Sequence, residues 1–247
     1  MMNQNIPVEQ HSIGQSVLLH LLPGFLIGGF YFAVIPLFHQ RGYPSMMVLL
    51  CAIFVVLIPA ELGYLLYEGK KKNGRFSLQG VVLYRTSIPI WQYFLWGLVI
   101  FVLMGLIFTL MKPVDAFLQQ NLYGWVPVLE SGLQVGYSQR VLIETYIMLA
   151  IFGAVVAPTV EELYFRGFLL PRMEYAGKWA PLLHSFLFGL YHVWTPWMFL
   201  TRTVGMLPLI YAVRRRNLNL GIVTHILINL VDVIAGVSFI IGMSSFR

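Results

Sequence analysis

Apolar runs of about twenty residues recur along this chain, and that is the length at which a helix crosses the hydrocarbon of a bilayer. A water-soluble core has no need of such runs, because its helices are apolar on one face only. The runs fall at roughly 16–38, 46–67, 91–111, 141–165, 179–199, 200–213 and 218–243, with ends good to several residues. The sixth is short. It is either a half-span or a continuation of the fifth through a kink at Pro196, so the count is about seven, or eight on another division. The predicted fold is an all-α, polytopic bundle of transmembrane helices forming a single membrane domain over 1–247. Only 11% of the residues are charged, against about a quarter in soluble domains, which agrees with lipid as the main solvent.

The net charge of +6 does not point to nucleic acid, since the basic residues sit in short loops beside apolar runs and form no continuous basic face. Lys70, Lys71, Lys72, Arg75 and Arg85 follow the second run, Arg166, Arg172 and Lys178 the fourth, and Arg214, Arg215 and Arg216 the sixth. Threading the spans puts all three groups on one side, which the positive-inside rule makes cytoplasmic, with the amino terminus inside and the carboxyl terminus outside. The other side receives Arg41, Lys112, Arg140, Arg202 and Arg247. Topology anchoring accounts for the basic triplets without a lipid-binding role.

Segment 112–140, with Pro113, Gly124, Pro127, Gly132 and Gly136, reads as too broken for a spanning helix and is placed at the outer surface. No Lys or Arg precedes the first run, which is too long for a signal peptide and is expected to be a retained anchor. Cys51 is the sole cysteine and reads as core packing. Trp91 and Trp179 near one predicted boundary, and Trp194 and Trp197 near the other, read as aromatic belts. No internal repeat is visible, which weighs against an inverted-repeat transporter.

Ionisable side chains inside a span cost several kcal/mol unless paired or solvated, and three clusters need such an explanation. The first is Glu161-Glu162-Leu163-Tyr164-Phe165-Arg166. Glu162 and Arg166 are four apart on one helix face, in the favourable acid-before-base order, while Glu161 projects about 100° away. One carboxylate is neutralised and the other is spare, which makes Glu161 the candidate general base. The alternative is a charged pair at a helix end.

The second cluster is Phe188-Gly189-Leu190-Tyr191-His192, on a face shared with His184. His184 lies near the end of its span, where interfacial water accounts for it. The third cluster is His225, Asn229 and Asp232, whose spacings align them along one stripe of an apolar helix. Its alternative is polar packing between helices, about 0.6 kcal/mol per contact.

Taken together, the clusters supply a base, two imidazoles and an amide donor, the parts needed to hydrolyse a peptide bond. In this reading Glu161 deprotonates water, His192 positions it, and His225 with Asn229 stabilises the oxyanion. Glu161, His192 and His225 are also a donor set for catalytic zinc, although the two histidines lack the four-residue spacing of soluble zinc peptidases, so zinc stays open. Simple counting places His192 about 9 Å deeper in the membrane than His225, a gap the fold must close if they share a site. Glu61, two residues after Pro59, is either a cavity residue or a partner at a helix kink, and Glu144 reads as interfacial.

A Glu-Glu pair followed after three residues by Arg, then Phe-x-x-x-His, then His-x-x-x-Asn, in that order on separate spans, resembles the CAAX-processing and bacteriocin-processing (CPBP, or Abi) family of intramembrane metalloproteases. Here the motifs are Glu161, Glu162 and Arg166; Phe188 and His192; and His225 and Asn229. The resemblance covers about 140–247 as a catalytic core, and 1–139 carries no recognised motif. It implies a polar cavity within the membrane that opens to the cytoplasm. The catalytic set would be Glu161, His192, His225 and Asn229, supported by Glu162, Arg166, Phe188 and Asp232. It also implies an integral protein of a bacterial plasma membrane acting on a membrane-delivered peptide or protein, such as a prenylated tail or a leader. Two other readings compete with it: a non-catalytic adaptor or bacteriocin-immunity factor on the same fold, and a transporter using the same ionisable groups.

Overall fold

The computed structural model describes residues 8–83, 87–133 and 136–244; Arg85 and Arg247, used above for orientation, lie outside them. The described residues are helical with no strand. The elements are α1 (Ile13–Gln40), α2 (Ser45–Asn73), α3 (Ile90–Asn121), α4 (Gln139–Arg172), α5 (Ala180–Tyr191), α6 (Phe199–Gly205), α7 (Leu207–Arg215) and α8 (Leu218–Ser244). By length and composition, α1, α2, α3, α4 and α8 are each able to cross a bilayer.

The fifth and sixth predicted spans are a hairpin instead. At about 1.5 Å per residue α5 covers about 18 Å, short of the roughly 30 Å of hydrocarbon. The chain turns through 192–198 and returns as α6 and α7. Thr195 precedes Pro196, and a residue before proline is driven out of the α region; its φ of −140° and ψ of 60° fit that constraint. Close approach holds the two arms together. The Ser185 hydroxyl donates to the Thr203 carbonyl at 2.6 Å, and a Cβ at Gly189 would lie 2.5 Å from the Phe199 carbonyl oxygen.

Two further expectations need correction. Helix α3 runs through Pro113 to Asn121, so only 122–138 joins it to α4; a proline removes one backbone bond, which membrane helices tolerate. Helix α4 extends to Arg172, and Arg166 is not in a loop but fully buried inside it. The hydrogen bonding of α4 widens to a π-type pattern over Leu149–Val156 and Glu162–Leu169, and that of α2 over Ile53–Gly63. Such distortions recur at functional sites.

Local chemistry sets the helix ends at the basic end of the bundle. Ser12 and Gln15 form a reciprocal capping box that starts α1. Asn217 starts α8, its Oδ1 accepting from the backbone N–H of Asn219 at 2.7 Å and Leu220 at 3.3 Å. The His11 N–H donates to the Arg172 carbonyl, and the Leu83 N–H to that of Gly167. The Arg216 guanidinium donates to Gln92. These contacts bring the start of α1, the end of α4, the start of α3 and the end of α7 together.

One buried apolar cluster joins α1, α2, α4, α5, α7 and α8, with Tyr31, Phe165, Phe188 and Tyr191 among its largest members. Helices α3 and α8 bury only 17% and 11% of their most apolar windows, leaving apolar faces suited to lipid.

Candidate active site

Between α1, α2, α3, α4, α6 and α8 lies a cavity of about 660 Å³, within the size range of small-molecule and peptide sites. Its wall is mostly aliphatic, aromatic and methionine side chains. Glu161 from α4, His192 and Thr195 from the hairpin turn, Arg202 from α6, and His225, Asn229 and Asp232 from α8 interrupt that wall, and Lys112 from α3 also lines it. All three sequence clusters therefore reach one space. The depth gap expected from counting does not keep His192 and His225 apart, since both line the same cavity.

The two adjacent glutamates have separate surroundings. Glu162 is fully buried behind the cavity wall, where its Oε1 accepts from His225 Nδ1 at 3.0 Å and lies 3.3 Å from Arg166 Nη1. That arginine contact is within ion-pair distance, but its angles do not make it a hydrogen bond. The Arg166 guanidinium instead lies over the Phe188 ring, 3.9 Å from its centroid, an attraction that strengthens where water is excluded. Phe188 in turn meets the His192 ring edge-on at 4.8 Å. Glu162, Arg166, Phe188 and His192 thus form one line of contacts from α4 to α5.

Glu161 points the other way, into the cavity, with its Oε2 3.9 Å from His225 Nε2. The two imidazoles are oriented by the bonds on their far sides. His192 Nδ1 lies 2.9 Å from the Phe188 carbonyl; a carbonyl only accepts, so Nδ1 carries the hydrogen and Nε2 is left for a ligand. The carboxylate of Glu162 likewise commits Nδ1 of His225 as donor. Asn229 donates one amide hydrogen to the Gly153 carbonyl at 3.0 Å, which fixes the amide while leaving a second N–H. Gly153 lies in the first π-type stretch of α4.

Among the described residues, no group of three or more His, Cys, Asp and Glu side chains is arranged to hold a metal ion. Glu161, His192 and His225 share the cavity without forming such a set.

Other sequence expectations are revised by packing. His184 is not at an interface: it is fully buried, and its Nδ1 meets Nε2 of His20 on α1 at 2.9 Å. Glu61 is buried behind Tyr191, whose hydroxyl donates to it at 2.7 Å. Trp194 is buried on the cavity wall and Trp197 is buried in a separate cluster with Leu118 and Val126, so neither forms a belt, while Trp91 and Trp179 are exposed. Glu144 stays peripheral, bonded to Tyr43 and Arg140.

Arg202, which the charge count places on the side away from the basic loops, lines the cavity and is bonded to Thr195. The signal for it was present, since an arginine inside an apolar run is costly without a purpose.

Residues 143–231 match the family model described as type II CAAX prenyl endopeptidase Rce1-like. No curated protein and no solved structure matches the chain. The matched stretch contains Glu161, Glu162, Arg166, Phe188, His192, His225 and Asn229, and stops one residue short of Asp232. Over residues 143–231, then, this membrane protein is similar to the Rce1-like CAAX prenyl endopeptidases.

Proposed function

We propose that the chain hydrolyses a peptide bond near the end of a membrane-delivered substrate, such as a prenylated tail, with Glu161 as general base. The observation that carries this reading is the 3.9 Å approach of the Glu161 carboxyl to His225 Nε2, on the wall of a cavity that His192 and Asn229 also line. Glu161 takes a proton from water as the water oxygen bonds to the carbonyl carbon. His192 Nε2 accepts a hydrogen bond from the water's other O–H and aligns the attack, and that hydrogen stays on the oxygen that becomes part of the new carboxyl group. His225 as imidazolium, with Nδ1–H on Glu162, and the Asn229 amide donate to the oxyanion; one such donor typically contributes a factor of about 10²–10³. Collapse of the intermediate breaks the C–N bond, and the departing amine recovers the proton from Glu161.

Zinc is assigned no step in this scheme. Loss of rate on chelation, restored by zinc, would return Glu161, His192 and His225 to the role of ligands. The basic end of the bundle is proposed to face the cytoplasm, with the cavity reached from that side.

The test is cleavage of a prenylated peptide by the purified protein in proteoliposomes. Glu161→Ala and His225→Ala should each abolish it, and undiminished cleavage by either variant would end the assignment.

A second reading, a non-catalytic adaptor or immunity factor, is favoured by one observation: the Glu162, Arg166 and His225 network ties α4 to α8 whatever the chemistry. It requires that Glu161→Gln keep the cellular phenotype.

A further inference from the structure

We propose that Arg202 and Thr195 form a subsite for the free carboxylate at a peptide's carboxyl terminus, an inference that rests on the peptidase reading above. Arg202 lines the cavity but takes part in none of the ion pairs among the described residues. The charges of Glu161 and of Asp115 on the neighbouring α3 reach it, but neither carboxylate is within ion-pair distance, and Asp115 accepts from the Thr201 hydroxyl. A guanidinium facing a largely apolar cavity within a membrane bundle is costly unless an anion meets it.

Geometry adds a second reason. Nη1 donates to the Thr195 carbonyl at 3.2 Å and Nη2 to the Thr195 hydroxyl at 2.9 Å. These two bonds fix the plane of the fork and leave the remainder of its five donors without a protein acceptor among the described residues. A planar, pre-oriented guanidinium is the group best matched to a carboxylate. Lys112 lines the same cavity and adds positive charge.

Position supplies the third. Thr195 lies three residues after His192 in the turn between α5 and α6, so the anion subsite and the water-positioning imidazole are held by the same short turn. A peptide substrate has one anion that every sequence carries, its terminal carboxylate. Binding that group here sets the distance from the chain end to the reacting carbonyl, so the cut falls a fixed few residues from the terminus. Arg202 is thus a specificity residue, acting on the fragment that leaves.

The experiment compares one prenylated peptide as the free acid and as the carboxyl-terminal amide, in proteoliposomes. Wild type should prefer the acid by about ten- to a hundredfold in kcat/KM, the size of a charge-assisted hydrogen-bonded contact. In Arg202→Gln that ratio should fall to about one, and Arg202→Lys should keep part of it. Thr195→Val, which removes one of the two bonds that hold the fork, should lower the ratio even if Arg202→Gln does not fold. A merely structural arginine would slow acid and amide alike and leave the ratio unchanged.

Binding of the two peptides to Glu161→Gln, and to Glu161→Gln with Arg202→Gln, separates the two assignments. Acid-selective binding lost with Arg202, in a protein that never cleaves, upholds the subsite and removes the peptidase reading. Cleavage by wild type without acid preference, or a preference that survives Arg202→Gln and Thr195→Val, overturns the subsite and leaves the peptidase reading standing.

Discussion

The region behind the cavity wall and the cavity itself are built from adjoining residues of α4, yet they treat charge in opposite ways. Behind the wall, Glu162, Arg166 and one nitrogen of His225 are packed together with almost no exposure. In the cavity, Glu161, His192, Asn229 and Arg202 each bond to something that orients them, or face a neighbour at longer range, and each keeps polar capacity. A buried ion pair is poor evidence of net stabilisation, but removing one partner is strongly destabilising, because a charge is left without compensation. The sealed region should therefore govern folding, and the cavity should govern chemistry.

The comparison breaks first at the two glutamates. Glu161→Gln should lower kcat/KM by about 10²–10⁴, the usual contribution of a general base, while thermal unfolding in detergent moves little. Glu162→Ala should do the reverse, costing about 3–5 kcal/mol of stability, out of a total of about 5–15. Comparable unfolding losses in both variants would erase the distinction between the regions.

A smaller effect sharpens it. Gly189→Ala places a methyl 2.5 Å from the Phe199 carbonyl oxygen, prying apart the hairpin that carries His192 and Arg202. Overpacking of this kind costs about 1–3 kcal/mol. Activity should fall further than Gly189→Ala lowers stability, because both side chains ride on the displaced turn; equal kcat/KM in the variant would show that the turn has no such role.

The smallest effect lies at the basic end, outside the cavity. Burial, reinforced by the Arg172 charge and opposed by Glu9, lowers the His11 pKa from 6.5 to about 4. The docked segment therefore favours the neutral ring, and its stability is fully present above pH 6.5 and lost as pH falls through 4. Protection of the His11 amide, which is bonded to the Arg172 carbonyl, should fall between pH 7 and pH 5 when its exchange is expressed relative to the intrinsic rate at each pH. Activity at fixed Glu161 chemistry offers no such signal, so an unchanged exchange ratio would contradict this account of the amino-terminal contact.

Much of the bundle was legible because hydrophobic length is a local property. The five long helices coincide with apolar runs, and the spacing of Glu162 to Arg166 indicated which glutamate was paired. The hairpin was not legible in the same way, since apolar residues continue from α5 into the turn and hydropathy does not register a change of direction; only the Thr195-Pro196 step marked it. Pro113 marks a helix end by the pattern of soluble helices, whereas in a chain whose backbone has no water to bond with the helix continues through it. The place of Arg202 on the cavity wall is not visible to a count of charges for topology, which treats each arginine as a loop residue. The pairings of His20 with His184 and of Glu61 with Tyr191 bridge 164 and 130 positions, and the periodicity of one helix carries no information about its neighbour.

The central claim is that water reaches a pocket where acid, imidazole and amide groups converge, while the ion network beside it stays dry. Thiol labelling on one helix tests this most directly. In a Cys51→Ser background, Asn229→Cys lies on the cavity wall, whereas Thr224→Cys replaces a fully buried side chain of the same α8. A small water-soluble maleimide should label position 229 at least about tenfold faster than position 224 in proteoliposomes, since thiol reactivity follows exposure, and a bound peptide should suppress that labelling. Equal rates at the two positions, or a position 229 as inert as position 224, would contradict it.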